Sequence, residues 1–187
     1  MSGASERKEK MTGQLILDCL AQKRKAQHLL FKTYYGFLMS IALRYAHDPE
    51  EAQDMLNEGF IKVFANLDKY KQTGSFEGWL RRVMVNTALD YLRRNSHHYE
   101  TLSYDDINEG DCEVQVENTA IQNLTYNELM ACIQKLPTMS RNVFNLYVFE
   151  NYSHTEIAEM LGMQEGTSHW HLNFARKKLK EKIEHII

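Results

Sequence analysis

At 187 residues the chain has room for one large domain or two small ones, and a composition 43% hydrophobic and 25% charged excludes wholesale disorder. The net charge of −3 pools three unlike stretches: residues 1–94 hold fifteen Lys/Arg against eleven Asp/Glu, residues 95–123 hold seven acids and no Lys or Arg, and residues 124–187 hold seven of each. No apolar run reaches the roughly 18–20 residues of a membrane span.

Cys19, Cys112 and Cys132 are odd in number and form no CxxC pair, so they read as free thiols of a reducing cytoplasm, not as a disulfide frame or a zinc knuckle. Residues 1–13 make a charged tail without the apolar segment of a signal peptide. Two prolines and nine glycines leave long uninterrupted stretches, which favours helices over a sheet needing many turns.

Apolar positions recur with helical period from Leu15 to Leu20 and from about Lys25 to Ala46. "HDPEE" then starts a new helix, with Asp48 suited to the N-cap, Pro49 to the first helical position and Glu51 to the third position of a capping box. Along it Ala52, Leu56, Gly59, Phe60, Val63 and Leu67 form a core stripe. The other side carries Glu51, Asp54 and Glu58, followed by Ile61 and Ala65. A solvated face is polar throughout, whereas an acidic patch beside aliphatics reads equally as a docking surface for a basic partner.

"DKYKQTGSF" is a polar loop, and a helix follows from about Phe76 to Arg94 with Phe76, Leu80, Val83, Thr87 and Tyr91 inward. Steps of three and four from Trp79 put Arg82, Asn86, Asp90 and Arg93 on a neighbouring stripe. Two readings stand: an amphipathic helix with a half-buried Trp at its edge, or an aromatic and basic strip whose ring stacks on unpaired bases while its arginines hold phosphates. Residues 95–123 follow as an acidic linker without sustained period.

A second helical domain spans 124–187. Pro137 opens a helix with Val143, Phe144, Tyr147 and Val148 at core spacing. Ser153 and Glu156 form a capping box, Ile157, Ala158 and Leu161 face inward, and Gly162 suits the left-handed residue that ends the helix. The last helix, from about Glu165, turns Ser168, Leu172, Ala175 and Leu179 inward. Two helices around a short glycine turn are the helix-turn-helix pattern. On the last helix Trp170, Asn173, Phe174 and Lys177 face outward, with His169 and His171 on opposite flanks, too divergent to chelate one metal. That outward face, with Arg176 close by, fits the major groove. No serine-histidine-acid set, phosphate loop or metal cluster appears, so the chain reads as no enzyme and as needing no cofactor.

In this order, "DPEEAQDMLNEGFIKVFANLDKY", "SFEGWLRRVMVNTALDYLRR" and "LPTMSRNVFNLYVFENYSHTEIAEMLGMQEGT…ARKKL" resemble bacterial sigma factors of the extracytoplasmic-function group of the sigma-70 family, from about Leu15 to Lys182. The resemblance implies an all-α protein of two small domains: region 2 over 14–94 and region 4, with the helix-turn-helix, over 124–187. It implies binding of core RNA polymerase through Glu51, Asp54, Glu58, Phe60, Ile61 and Val63. The loop with Lys71, Gln72, Thr73 and Ser75 would hold a flipped base of the minus-ten element, and Trp79, Arg82, Asn86 and Arg93 would lie on the melting helix. Thr167, His169, Trp170, Asn173 and Phe174 would face the minus-thirty-five element, with His171, Arg176 and Lys177 nearer phosphates. It further implies a monomer when free, with promoter DNA and an anti-sigma factor as partners. Two departures stand out: Gln164 replaces the usual Ser before the recognition helix, and "SHWH" replaces basic residues after "GT". The competing readings are a helix-turn-helix regulator that is no polymerase subunit and a helical adaptor without a DNA role.

Overall fold

The computed structural model describes residues 12–71, 74–95 and 126–184. The N-terminal tail through residue 11, Gln72, Thr73 and all but the first residue of the acidic linker lie outside them. Regular structure among the described residues is all helical. The chain divides into two compact units, 1–42 with 49–91 and 43–48 with 92–187.

The first unit is built from α1 (12–20), all but the last residues of α2 (Arg24–Tyr45), α3 (Pro49–Ala65), a 3-10 turn (Leu67–Lys69) and all but the last residues of α4 (Phe76–Arg94). Its core takes Ile16 and Cys19 from α1, Leu30, Leu38 and Ile41 from α2, Met55, Leu56, Phe60 and Val63 from α3, and Leu80, Met84 and Ala88 from α4. Gly59 is where α3 meets α4 closely: a Cβ there would lie 2.7 Å from Met84 Sδ. Lys62 of α3 bridges the two helices by pairing with Asp90 at 3.0 Å while also meeting Glu58 at 3.4 Å.

All six positions expected in the α3 core stripe are buried, but the stripe is wider than expected. Met55 is buried as well, and Glu51, one helical turn before it, is buried with it.

The second unit holds α5 (Tyr126–Gln134), α6 (Thr138–Val148), α7 (His154–Leu161) and α8 (Glu165–Glu184). Met130, Cys132, Ile133 and Leu136 cluster with Ala175 and Leu179 of α8, and Phe144 and Phe149 pack against this cluster. Pro137 is the N-cap of α6, one position before the helix proper, and its carbonyl accepts the Arg141 N–H at 2.9 Å. On α6 the expected inward set is corrected. Val143 and Leu146 are buried, whereas Tyr147 and Val148 are exposed. One step past Leu146 turns a side chain about 100° away from the core.

α7 starts and stops as its sequence dictates. The Ser153 N–H donates to Glu156 Oε2 at 2.8 Å and the Glu156 N–H donates back to Ser153 Oγ at 3.3 Å, which completes the capping box. Gly162 ends the helix at φ 68° and donates its N–H to the Ala158 carbonyl. The short turn to Glu165 sets the second helix of the pair against the first.

Candidate functional site

Three surfaces carry the expected residues. On α3, Asp54 is exposed, Glu58 is half-buried with its carboxylate on Lys62, and Ile61 is 69% exposed. Glu51, Phe60 and Val63 are corrected as surface residues: all three are buried. Phe60 rests its ring 4.4 Å from that of Phe31 on α2. Of the six residues expected on this face, Asp54, Glu58 and Ile61 are the ones open to solvent, with Lys62 beside them.

The second surface runs from the loop after Lys69 along α4. Lys71 and Ser75 are exposed. Ser75 is engaged all the same, because its Oγ accepts the Gly78 N–H at 3.0 Å and so caps α4. The loop is closed by Tyr70, whose hydroxyl donates to the Gly74 carbonyl at 2.8 Å, and Gly74 takes φ 92°, which a residue with a Cβ rarely adopts. Gln72 and Thr73 lie outside the described residues.

Trp79 is half-buried, stacked on Phe76 at 5.7 Å and tilted against Tyr70 at 5.6 Å. Phe76 in turn meets Tyr34 of α2 edge-on at 5.4 Å. The indole thus rests on a buried aromatic ring with part of its surface open, and Arg82, Asn86 and Arg93 are exposed beyond it. Sequence reading missed Tyr70, although an aromatic directly before a polar glycine loop was the available signal.

The third surface is α8. Ser168, Leu172, Ala175 and Leu179 are buried, while Thr167, His169, Asn173, Arg176 and Lys177 are exposed. Trp170 and Phe174, one turn apart, stack on each other at 5.3 Å and are half-buried by this pairing, with Lys178 Nζ 5.8 Å from the Phe174 ring. The two flanking histidines diverge as their spacing requires. His169 lies face to face with His154 of α7 at 3.6 Å, while His171 Nδ1 meets Ser140 Oγ of α6 at 2.9 Å.

His171, expected nearer phosphates, is turned toward α6 by that contact. The ring is half-buried, and burial lowers its pKa from the ordinary histidine value, which favours the uncharged form. Arg176 sets its guanidinium 5.7 Å from the ring centre of Tyr147. At the start of the helix Glu165 accepts from Thr155 of α7 at 3.2 Å and approaches His169 Nε2 at 3.8 Å.

Known proteins match this arrangement region by region. Residues 30–98 match sigma-70 region 2 and residues 126–179 match sigma-70 region 4. The RNA polymerase sigma-H factor of Pseudomonas aeruginosa is 27% identical over 172 residues, covering 88% of this chain and 89% of that one. The ECF RNA polymerase sigma-E factor of Escherichia coli is 26% identical over 190 residues, covering 96% and 98%. Among solved structures, the sigma factor RpoE of Bartonella quintana, crystallised with the anti-sigma factor NepR, shares the fold with a TM-score of 0.52 at 16% identity, covering 84% of this chain and 96% of that one. With both regions matched in order, and relatives that align along nearly their whole length, the chain belongs to the sigma-70 family as a sigma factor of the extracytoplasmic-function type.

Proposed function

We propose that this sigma factor divides its work among the three surfaces. The face of α3 with Asp54, Glu58 and Ile61 docks on core RNA polymerase. The Lys71–Ser75 loop takes a base flipped from the minus-ten element, and Trp79, Arg82, Asn86 and Arg93 hold the opened strand. The exposed side of α8 reads the minus-thirty-five element, with Thr167, His169, Trp170, Asn173 and Phe174 toward base edges and Arg176 and Lys177 toward phosphates. Nothing in this work calls for catalysis by the chain itself. A monomer free in the cytoplasm, held by an anti-sigma factor until needed, completes the reading.

The observation that carries it is the two-sidedness of α8: Ser168, Leu172, Ala175 and Leu179 anchor the helix while Asn173, Arg176 and Lys177 stand exposed after a capped α7 and a glycine turn. A helix so anchored enters a major groove without unpacking its core, its first turns toward base edges and its basic end toward the backbone.

Capture of core polymerase by the purified chain, followed by run-off transcription from promoter fragments, tests it. Capture together with promoter-specific transcripts is expected. Duplex binding without polymerase capture favours a helix-turn-helix regulator and overturns the division proposed here.

A further inference from the structure

Ser168 is buried completely, at the one position of the inward column of α8 that is not apolar. A buried hydroxyl without a partner costs about 1–3 kcal/mol. Its partner is His154, the first residue of α7, whose Nδ1 lies 2.9 Å from Ser168 Oγ. His154 is nearly buried as well, and its ring is held on both faces: Tyr147 of α6 stacks at 4.7 Å and His169 of α8 at 3.6 Å, with interplanar angles of 27° and 29°. A hydrogen bond in the ring plane and a ring on each face leave this imidazole little freedom to turn.

We infer that His154 is a positioning residue for DNA reading: it holds the ring of His169 flat against α7, so that His169 meets one base pair in one orientation. The inference rests on the proposed reading role of α8. His169 sits in the first turns of that helix, the part that meets base edges in a helix-turn-helix, and it is exposed while His154 is not. Thr155 on α7 and Glu165 on α8 frame the same edge of the column, Glu165 approaching the far nitrogen of His169. Arg176 lies over Tyr147 at the other end.

The electrostatics agree with this assignment of roles. Burial first, and the neighbouring charge of His169 second, lower the pKa of His154 from the ordinary value, and Glu165 works in the opposite direction. Two charged imidazoles face to face repel, and the buried ring of His154 is held toward its uncharged form. Fixing a side chain in advance also spares the entropy that a loose His169 loses on meeting DNA.

Stacking and hydrogen bonding make separable contributions. The hydrogen bond between Ser168 and His154 orients the His154 ring, and the flat ring of His154 orients His169. A phenyl at position 154 with alanine at 168 keeps the platform and removes both members of the buried polar pair together, which leaves no unsatisfied group.

The test uses the chain assembled with core polymerase and promoter fragments randomised over the upstream element, with base preferences read from the bound fraction. Four variants are compared with the unaltered chain: His169→Ala, His154→Ala, the double alanine variant, and His154→Phe with Ser168→Ala. Thermal unfolding of each is recorded alongside. His169→Ala should flatten preference at one base pair by about fivefold to tenfold, the low end of one good base contact. His154→Ala should flatten preference at that same pair, and the double alanine variant should lose no more than either single one, because both act through one ring. The variant combining His154→Phe with Ser168→Ala should keep the preference.

Preference at the His169 position that survives His154→Ala, or losses that multiply in the double alanine variant, overturns the positioning role. So does uniform weakening of preferred and scrambled fragments with a lowered melting temperature in both position-154 variants, which is the mark of a packing residue. If the unaltered holoenzyme selects no sequence in the upstream element, the reading role of α8 falls, and the inference with it.

Discussion

Phe60 and Ile61 are neighbours on α3, and their alanine variants separate core from docking surface. Phe60 is 3% exposed, and its ring lies 4.4 Å from Phe31 and 6.3 Å from Phe64. Burial of such a ring contributes about 1.5–3 kcal/mol. Each aromatic pairing adds about 0.5–1.5 kcal/mol. With the cavity left behind, Phe60→Ala should cost about 3–5 kcal/mol. Ile61 is 69% exposed, and Ile61→Ala should stay within about 0.5 kcal/mol of the unaltered chain. At roughly 2–4 °C per kcal/mol for a chain of this size melting as a whole, the protein should melt about 6–20 °C lower in Phe60→Ala and within about 2 °C in Ile61→Ala. Circular dichroism on heating reads both, and polymerase capture is then measured below either transition. Ile61→Ala should keep its melting temperature and lose capture. Equal destabilisation by the two variants, or a Phe60→Ala protein as stable as the parent, would refute this account of α3.

Asp54→Lys with Glu58→Lys should abolish polymerase capture and leave circular dichroism unchanged, since Asp54 is exposed and the Glu58–Lys62 pair lies at the surface; retained affinity removes the docking assignment. Ser153→Ala should lower stability by about 1 kcal/mol through loss of the α7 cap. Within that cap, the Ser153 N–H first and its hydroxyl second hold the Glu156 carboxyl below its ordinary pKa. A carboxyl pKa lower in the folded than in the unfolded chain contributes stability above the unfolded value and loses it as pH falls through the folded one. The stability gap between the parent and Glu156→Gln should therefore narrow on acidification, and a gap independent of pH refutes it. Asn173→Ala and Trp170→Ala should each relax promoter choice at a cost of roughly 1–3 kcal/mol on the preferred site, while Lys177→Ala weakens preferred and scrambled sites alike and lowers the salt slope by about one. A Trp170→Ala protein that melts early yet keeps its sequence preference shows the indole to be structural.

Features that depend on a few consecutive residues could be read without coordinates. The Ser153–Glu156 box and the left-handed Gly162 are of this kind, because each hydrogen bond closes within four or five residues. The inward column of α8 from Ser168 to Leu179 was legible too, since helical period alone sorts its positions. Even the divergence of His169 and His171 follows from their spacing. Which neighbour covers a helix side is different, because it is decided by side chains remote in sequence. The burial of Glu51 beside Met55 and the exposure of Tyr147 and Val148 are both of that origin. Arg141 is fully buried and donates Nη1 to the Gln134 carbonyl at 2.8 Å, a placement that no arginine in a sequence announces. The Ser168–His154–His169 column belongs with these. Period alone could turn Ser168 inward, but its partner lies fourteen residues away on another helix, and only packing brings the two rings and the hydroxyl together.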